Sequence, residues 1–292
     1  MPGIPDMSPS EFDPSALVRV PAPAKINLFL HIVGRRPDGY HLLQTAFRML
    51  DWGDEISLRR RDDGAILRTT DVPGVPVEAD LVVRAARALQ AATGSIFGAE
   101  IGVDKRIPMG GGLGGGSSDA ASVLIGLNRL WGCGLSRARL QEIGLTLGAD
   151  VPFFIFGETA FAEGVGEDLQ AMSVPPAWYL MVAPDASVPT AEIFSAKELT
   201  RDSEILIMRA FAMHTTRNDM QATVCRKFPK VAEALVWLSH YGAARMSGSG
   251  ACIFAPFDSK EKAEQVAAVA PQGWKVWVAE GLDRHPLQSW VV

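Results

Sequence analysis

Six of the nine residues Pro108, Met109, Gly110, Gly111, Gly112, Leu113, Gly114, Gly115 and Gly116 are glycine, and Ser117, Ser118 and Asp119 follow at once. Glycine accepts φ > 0 and has no Cβ, so successive backbone N–H groups can converge on one anion. Ser and Asp are favoured where helices start, and the unpaired N–H groups and positive dipole end there attract phosphate. The chemistry this spacing predicts is polyphosphate binding by a glycine loop that feeds a helix over residues 119–130. No Lys follows the glycines as in G-x-x-x-x-G-K-[ST], and the G-x-G-x-x-G dinucleotide pattern is a poor match, so this is a different phosphate loop. A flexible linker would not normally sit between two apolar periodic segments and end in a helix-start signal.

Two further groups could do chemistry. Lys25 opens an alternating run in which Ile26, Leu28, Leu30 and Ile32 share one strand face, leaving Lys25 and Asn27 on the other. Asp150 stands between Gly148 and Pro152, ahead of Phe153-Phe154-Ile155-Phe156. A carboxylate in so apolar a setting needs a partner or a task. It reads either as a loop or N-cap acid or as a general base partnered by a Lys such as Lys25. The turn Pro37-Asp38-Gly39 delivers Tyr40 and His41, which could stack on and hydrogen-bond a planar base, or be ordinary edge residues. Lys105 and Arg106 lie close enough to the glycine loop to meet phosphate charge. Ser247-Gly248-Ser249-Gly250 is a second glycine-serine turn, a hairpin by itself and a second wall if it faces the first loop.

The elements that must hold these groups follow from periodicity and caps. Strands are expected at 17–20, 26–32, 45–50, 54–58, 101–108 and 178–183, with residues 51–54 as the turn between the third and fourth. Helices are expected at 81–91, capped by Asp80 and stopped by Thr93-Gly94, at 135–147 from Ser136, at 191–199 after Thr190, from Gln221 onward, and at 229–238. Arg59-Arg60-Arg61 precedes Asp62-Asp63 and reads as a solvated hairpin.

The chain has 292 residues, 48% hydrophobic and 21% charged, with a net charge of −5, enough for about two soluble domains. The charge argues against a nucleic-acid or membrane-surface binder. Cys133, Cys225 and Cys252 form no metal-ligand spacing and fit reduced thiols in a cytoplasmic protein. No apolar run reaches the roughly 18 residues of a membrane span. The first 18 residues have no signal-peptide core, and 1–17 read as a disordered extension.

In order, the segments PAKINLFLHIVGRRPDGYH, PMGGGLGGGSSDAA and RMSGSGACIFA resemble the three motifs of the GHMP kinase superfamily, and the likeness runs from about Val18 onward. The resemblance implies an α+β, two-domain GHMP kinase fold with the active site in the interdomain cleft. Residues 18–163 would form the N-terminal domain with the ATP-phosphate loop, and 164–292 a ferredoxin-like C-terminal domain. It implies transfer of a phosphoryl group from ATP to an alcohol, with Mg2+. ATP would lie on Lys105 and on Pro108 through Ser118, with Asp80-Leu81 where the family has Asn-Leu beside adenine. Asp150 is implied as the catalytic aspartate and Lys25 as its partner. Lys25–Leu28, Asp38–His41, the double glycine run, Gly148–Phe154 and Asn218-Asp219 point to the branch acting on cytidyl diphosphate methylerythritol. Tyr40 and His41 would then hold the cytidine end, Asn27 and Asn218 would line the methylerythritol, and Ser247 and Gly248 would close the site. The implied partner is this small molecule, with no nucleic acid or membrane, for a cytoplasmic monomer or homodimer. A kinase of homoserine, mevalonate or a sugar would have no use for a cytidine pocket, and a non-catalytic sensor would not need both Lys25 and Asp150.

Overall fold

A computed structural model describes residues 16–208 and 216–291 of the chain; the expected N-terminal extension lies almost wholly outside them. In chain order the elements are strand β1 (Val18–Arg35), β2 (His41–Arg61), β3 (Ile66–Arg68), helix α1 (Leu81–Thr93), β4 (Gly98–Asp104), α2 (Gly115–Leu130), α3 (Arg137–Leu145), α4 (Val151–Phe156), β5 (Ala160–Glu163), β6 (Asp168–Ala171), β7 (Trp178–Ala183), α5 (Thr190–Ser195), α6 (Gln221–Lys227), α7 (Pro229–Ser239), β8 (Arg245–Met246), β9 (Ile253–Phe257), α8 (Lys260–Ala267) and β10 (Lys275–Leu282).

β2 is the spine. β1 pairs along its length, while β5, β10 and β4 pair in succession with residues 45–47, 49–50 and 55–61 of β2. The two strands expected at 45–50 and 54–58 are therefore one. Gly53 is extended rather than turning, because a Cβ there would collide with the backbone of Ala22 and Pro23 in β1; it is glycine for close approach. β7 to β10 form a β-α-β-β-α-β succession in the order β10-β7-β9-β8, the ferredoxin-like arrangement. β6 pairs with β5, so the first half's strand pairing runs past residue 163, and β7 opens the second half.

α1 has the expected start and stop: the Asp80 carboxylate accepts from Val82 N–H, and Gly94 closes the helix at φ +66°. Its face of Val82, Val83, Ala86 and Leu89 packs with Val123, Leu127, Phe153 and the sheet residues Ile56 and Leu58. A second core fills the C-terminal half around Leu180, Val182, Val224, Leu238 and Ile253. Between them Ile26, Leu50, Met181, Cys252 and Phe254 bury Leu113, which stands between the two glycine triplets of the loop and is 1% exposed. Burying such a side chain stabilises by about 1.5–3 kcal/mol. The loop is thus pinned at its centre.

Candidate active site

Gly114 takes φ +74° and caps α2, which begins at Gly115, four residues earlier than expected. Ser118 N–H donates to Gly114 C=O at 2.9 Å, the first helical bond, so the N–H groups of Gly115, Gly116 and Ser117 keep no partner within the helix. The loop is held from both sides: Lys25 N–H donates to Leu113 C=O (2.9 Å), Cys252 N–H to Gly111 C=O (3.1 Å) and Ser247 Oγ–H to Gly112 C=O (2.9 Å). It separates two cavities. A groove of about 310 Å³ is lined by Leu81, Lys105, Ile107 and every loop residue from Pro108 to Ser117. A cleft of about 870 Å³ lies on the other side, and Gly110, Gly112, Gly114 and Ser117 face both. An anion held by the helix start can therefore reach from one compartment into the other.

β1 aims two polar side chains into the cleft. Register shifts between Pro23 and Lys25 and between Asn27 and Phe29 bracket them, and such bulges redirect side chains. Lys25 is 3% exposed; its Nζ donates to Asn27 Oδ1 at 2.6 Å and lies 3.3 Å from Asp150 Oδ2. Asn27 Nδ2 donates to Thr45 Oγ1 at 2.9 Å, and Thr45 Oγ1–H to the Phe29 carbonyl, so each buried polar group orients the next. Asp150 is the residue just before α4, and its side chain is 32% exposed, enough to meet a molecule in the cleft. Pairing across the cleft wall brings together an ionisable acid and a buried cation, an arrangement that can orient a hydroxyl and take its proton.

Aromatic side chains form another part of the cleft lining. Tyr40, 64% exposed, and His41 belong to it, and Phe194 of α5 stacks on the imidazole with ring centroids 4.8 Å apart at 25°. Burial lowers the His41 pKa, and the charges of Arg201 and Arg35 lower it further. Arg201 Nε–H donates to His41 Nε2 at 3.1 Å. Neither Phe194 nor Arg201 carried a signal in the sequence: a lone aromatic in a short amphipathic helix reads as core.

Lys105 borders the groove with its Nζ 2.5 Å from Asp54 and 2.8 Å from Asp119. Burial opposes its charge, but the two carboxylates outweigh it and raise its pKa. Asp119 is pushed up to about 8, by burial first and by Asp54, with Lys105 pulling the other way.

Several expected site residues stand behind the walls. Asp80 does not line the groove that Leu81 lines; its carboxylate accepts from Arg68 Nη1 (2.7 Å) and from Val82 N–H. Ser118 is fully buried. Asn218 donates from Nδ2 to the carbonyls of Met246 (2.8 Å) and Gly248 (2.7 Å) and accepts from Met220 N–H, which leaves it outside the cleft lining. Ser247 is likewise buried between Gly112 C=O and Asn27 N–H, while Gly248 faces the cleft. Among the described residues no cluster of three or more His, Cys, Asp or Glu is placed to hold a metal, and no helix is long and apolar enough to cross a membrane.

Known proteins match this chain over most of its length. The GHMP kinases N terminal domain family matches residues 80–158, and the GHMP kinases C terminal family residues 200–276. A 4-diphosphocytidyl-2-C-methyl-D-erythritol kinase of Aromatoleum aromaticum is 59% identical over 94% of this chain and 97% of its own. A kinase of the same name from Azoarcus sp. is 60% identical over 93% and 96%. A crystal structure of 4-(cytidine 5'-diphospho)-2C-methyl-D-erythritol kinase superposes with TM-score 0.79 at 32% identity, covering 90% of this chain and 99% of that one. A homoserine kinase from Cytophaga hutchinsonii shares the fold at TM-score 0.63 and 19% identity, covering 92% and 96%.

Proposed function

The chain belongs to the GHMP kinases, and from that premise we propose that it phosphorylates the 2-hydroxyl of 4-diphosphocytidyl-2-C-methyl-D-erythritol with ATP, giving the 2-phosphate and ADP, in the non-mevalonate route to isoprenoid precursors. The observation that carries the reading is the Lys25–Asp150 pair, standing in the cleft on the opposite side of the glycine loop from the phosphate groove. ATP would lie in the groove with its phosphates at the start of α2 and its terminal phosphoryl at the shared wall. The alcohol would lie in the cleft beside Lys25, Asn27 and Asp150. The hydroxyl oxygen attacks the γ-phosphorus, the bond from that phosphorus to the β-phosphate oxygen breaks, and Asp150 takes the hydroxyl proton. Lys25 stabilises the ionised Asp150 and the oxygen as its charge builds. Phosphoryl transfer asks for in-line positioning and charge neutralisation above all.

The aromatic part of the cleft lining suits the cytosine, with Tyr40 and Phe194 offering ring faces and His41 a polar edge. Mg2+ is the remaining component. Ser117, which faces both cavities, is the side chain that would help hold it among phosphate oxygens and water, as Mg2+ prefers over an all-protein cage. It would supply charge neutralisation at the transferring group. Every group in this mechanism comes from one chain, so a monomer or a homodimer would serve, and we take the setting to be the cytoplasm.

The test is ADP release with ATP, Mg2+ and the cytidyl substrate, beside homoserine and mevalonate. Release with the cytidyl substrate alone is expected. Release only with a control alcohol would keep a GHMP kinase and reject this substrate.

A further inference from the structure

Arg201 occupies a position that no step of the reaction uses. Its guanidinium donates from Nη1 to Leu199 C=O (3.0 Å) and from Nη2 to Phe194 C=O (2.9 Å) and Ala196 C=O (2.7 Å), and its Nε–H points at His41 Nε2 (3.1 Å). Arginine stays protonated and can only donate, so the ring nitrogen it faces must be the one without hydrogen. A neutral imidazole then carries its proton on Nδ1. Among the described residues Nδ1 has no protein partner, and His41 lines the cleft beside Tyr40 and Phe194. The same guanidinium fixes the backbone of the stacking Phe194.

We propose that Arg201 is a positioning residue that sets base specificity: by holding His41 as the Nδ1–H tautomer it makes the pocket present a donor, which suits the N3 acceptor of cytosine and opposes the N3–H of uracil. The proposal rests on the cytidyl reading of the cleft. It assigns to Arg201 the choice between two pyrimidines that stack equally well, since ring faces do not distinguish them and edge hydrogen bonds do.

The experiment uses the full chain with cytidine 5'-diphosphate and uridine 5'-diphosphate as probes, measured by calorimetry. Wild type should favour the cytidine nucleotide by about tenfold or more. Arg201→Met removes the donor that faces Nε2 and leaves the ring free to take either tautomer, so most of that preference should be lost; the broken bonds to Phe194 C=O and Ala196 C=O weaken both nucleotides alike and cancel in the ratio of the two dissociation constants. A purely structural arginine predicts parallel losses with the ratio unchanged. Nitrogen-15 spectra of the His41 ring should show Nδ1 protonated in wild type and a mixture of tautomers in Arg201→Met. An Nε2–H ring in wild type, or an unchanged ratio in Arg201→Met, would each overturn the proposal. Failure of the cytidyl substrate to release ADP would instead reject the proposed reaction, and the nucleotide preference reads out independently of turnover.

Discussion

Replacing Gly114 by Ala should damage stability and catalysis together, and the size of each effect can be worked from its surroundings. Gly114 sits at φ +74°, and a Cβ there would stand 2.9 Å from Lys25 Cγ and 2.9 Å from Phe154 Cζ. A left-handed backbone costs a non-glycine residue about 1–2 kcal/mol. Forcing an extra carbon into a packed site costs about 1–3 kcal/mol more. Gly132 isolates the first cost, because it has φ +66° and an added Cβ would meet nothing within 4 Å. Gly132→Ala should therefore lose about 1–2 kcal/mol and Gly114→Ala about 2–5 kcal/mol in urea unfolding. Phe154 and Lys25 are both buried, so part of the strain falls on the Lys25 stem and reaches its pairing with Asp150. A displacement approaching 1 Å at a catalytic group can lower turnover by about a hundredfold. We expect kcat of Gly114→Ala to fall by about ten- to a hundredfold, with Gly132→Ala near wild type. Equal unfolding midpoints for the two variants, with kcat intact in both, would refute the reasoning.

Three other perturbations have worked signs. Asp150→Asn should lower kcat by about 10²–10⁴ while ATP still binds, because only proton acceptance and hydroxyl orientation are lost; near-normal turnover would remove Asp150 from the mechanism. His285 is fully buried, and burial, with Arg137 adding to it, lowers its pKa to about 3. An unfolded His accepts its proton near pH 6.5, so between there and pH 3 the folded state loses stability at up to about 1.4 kcal/mol per pH unit. Melting points of His285→Gln should fall less steeply from pH 6.5 to 4.5, and a slope matching wild type would contradict this. Asp119, held near pH 8 in the fold against about 4 when unfolded, costs stability increasingly as pH rises between those values. Asp119→Asn should therefore raise the melting point more at pH 8 than at pH 5, and a pH-independent difference would count against a protonated Asp119.

The parts of the site that were legible in the sequence are those whose chemistry is local. A glycine run ending in a helix start announces itself because backbone freedom and capping are properties of consecutive residues. Asp80, Gly94 and Ser136 marked helix ends for the same reason. Lys25 and Asn27 could be placed on one face by strand period, although their burial and the bulges that bracket them could not be foreseen. Gly53 misled because glycine signals a turn and close backbone approach alike. Ser247 and Asn218 lie in motifs that flank the site, yet their hydrogen bonds run to residues on distant elements and carry them into the wall. Phe194 and Arg201 had no local pattern at all, since their meaning comes from His41, more than 150 residues earlier in the chain.

The glycine loop serves as the partition between groove and cleft, and this ties two equilibria together. Whatever moves Gly112 or Gly114 on one side is felt on the other, because both cavities are bounded by the same backbone. The factor by which nucleotide alters the dissociation constant of the alcohol must equal the factor by which the alcohol alters that of the nucleotide. Leu113, buried in the junction between the two cores, sets how far the partition can yield. A stiffer anchor there weakens the exchange in both directions at once, and a looser one lets each ligand prepare the seat of the other.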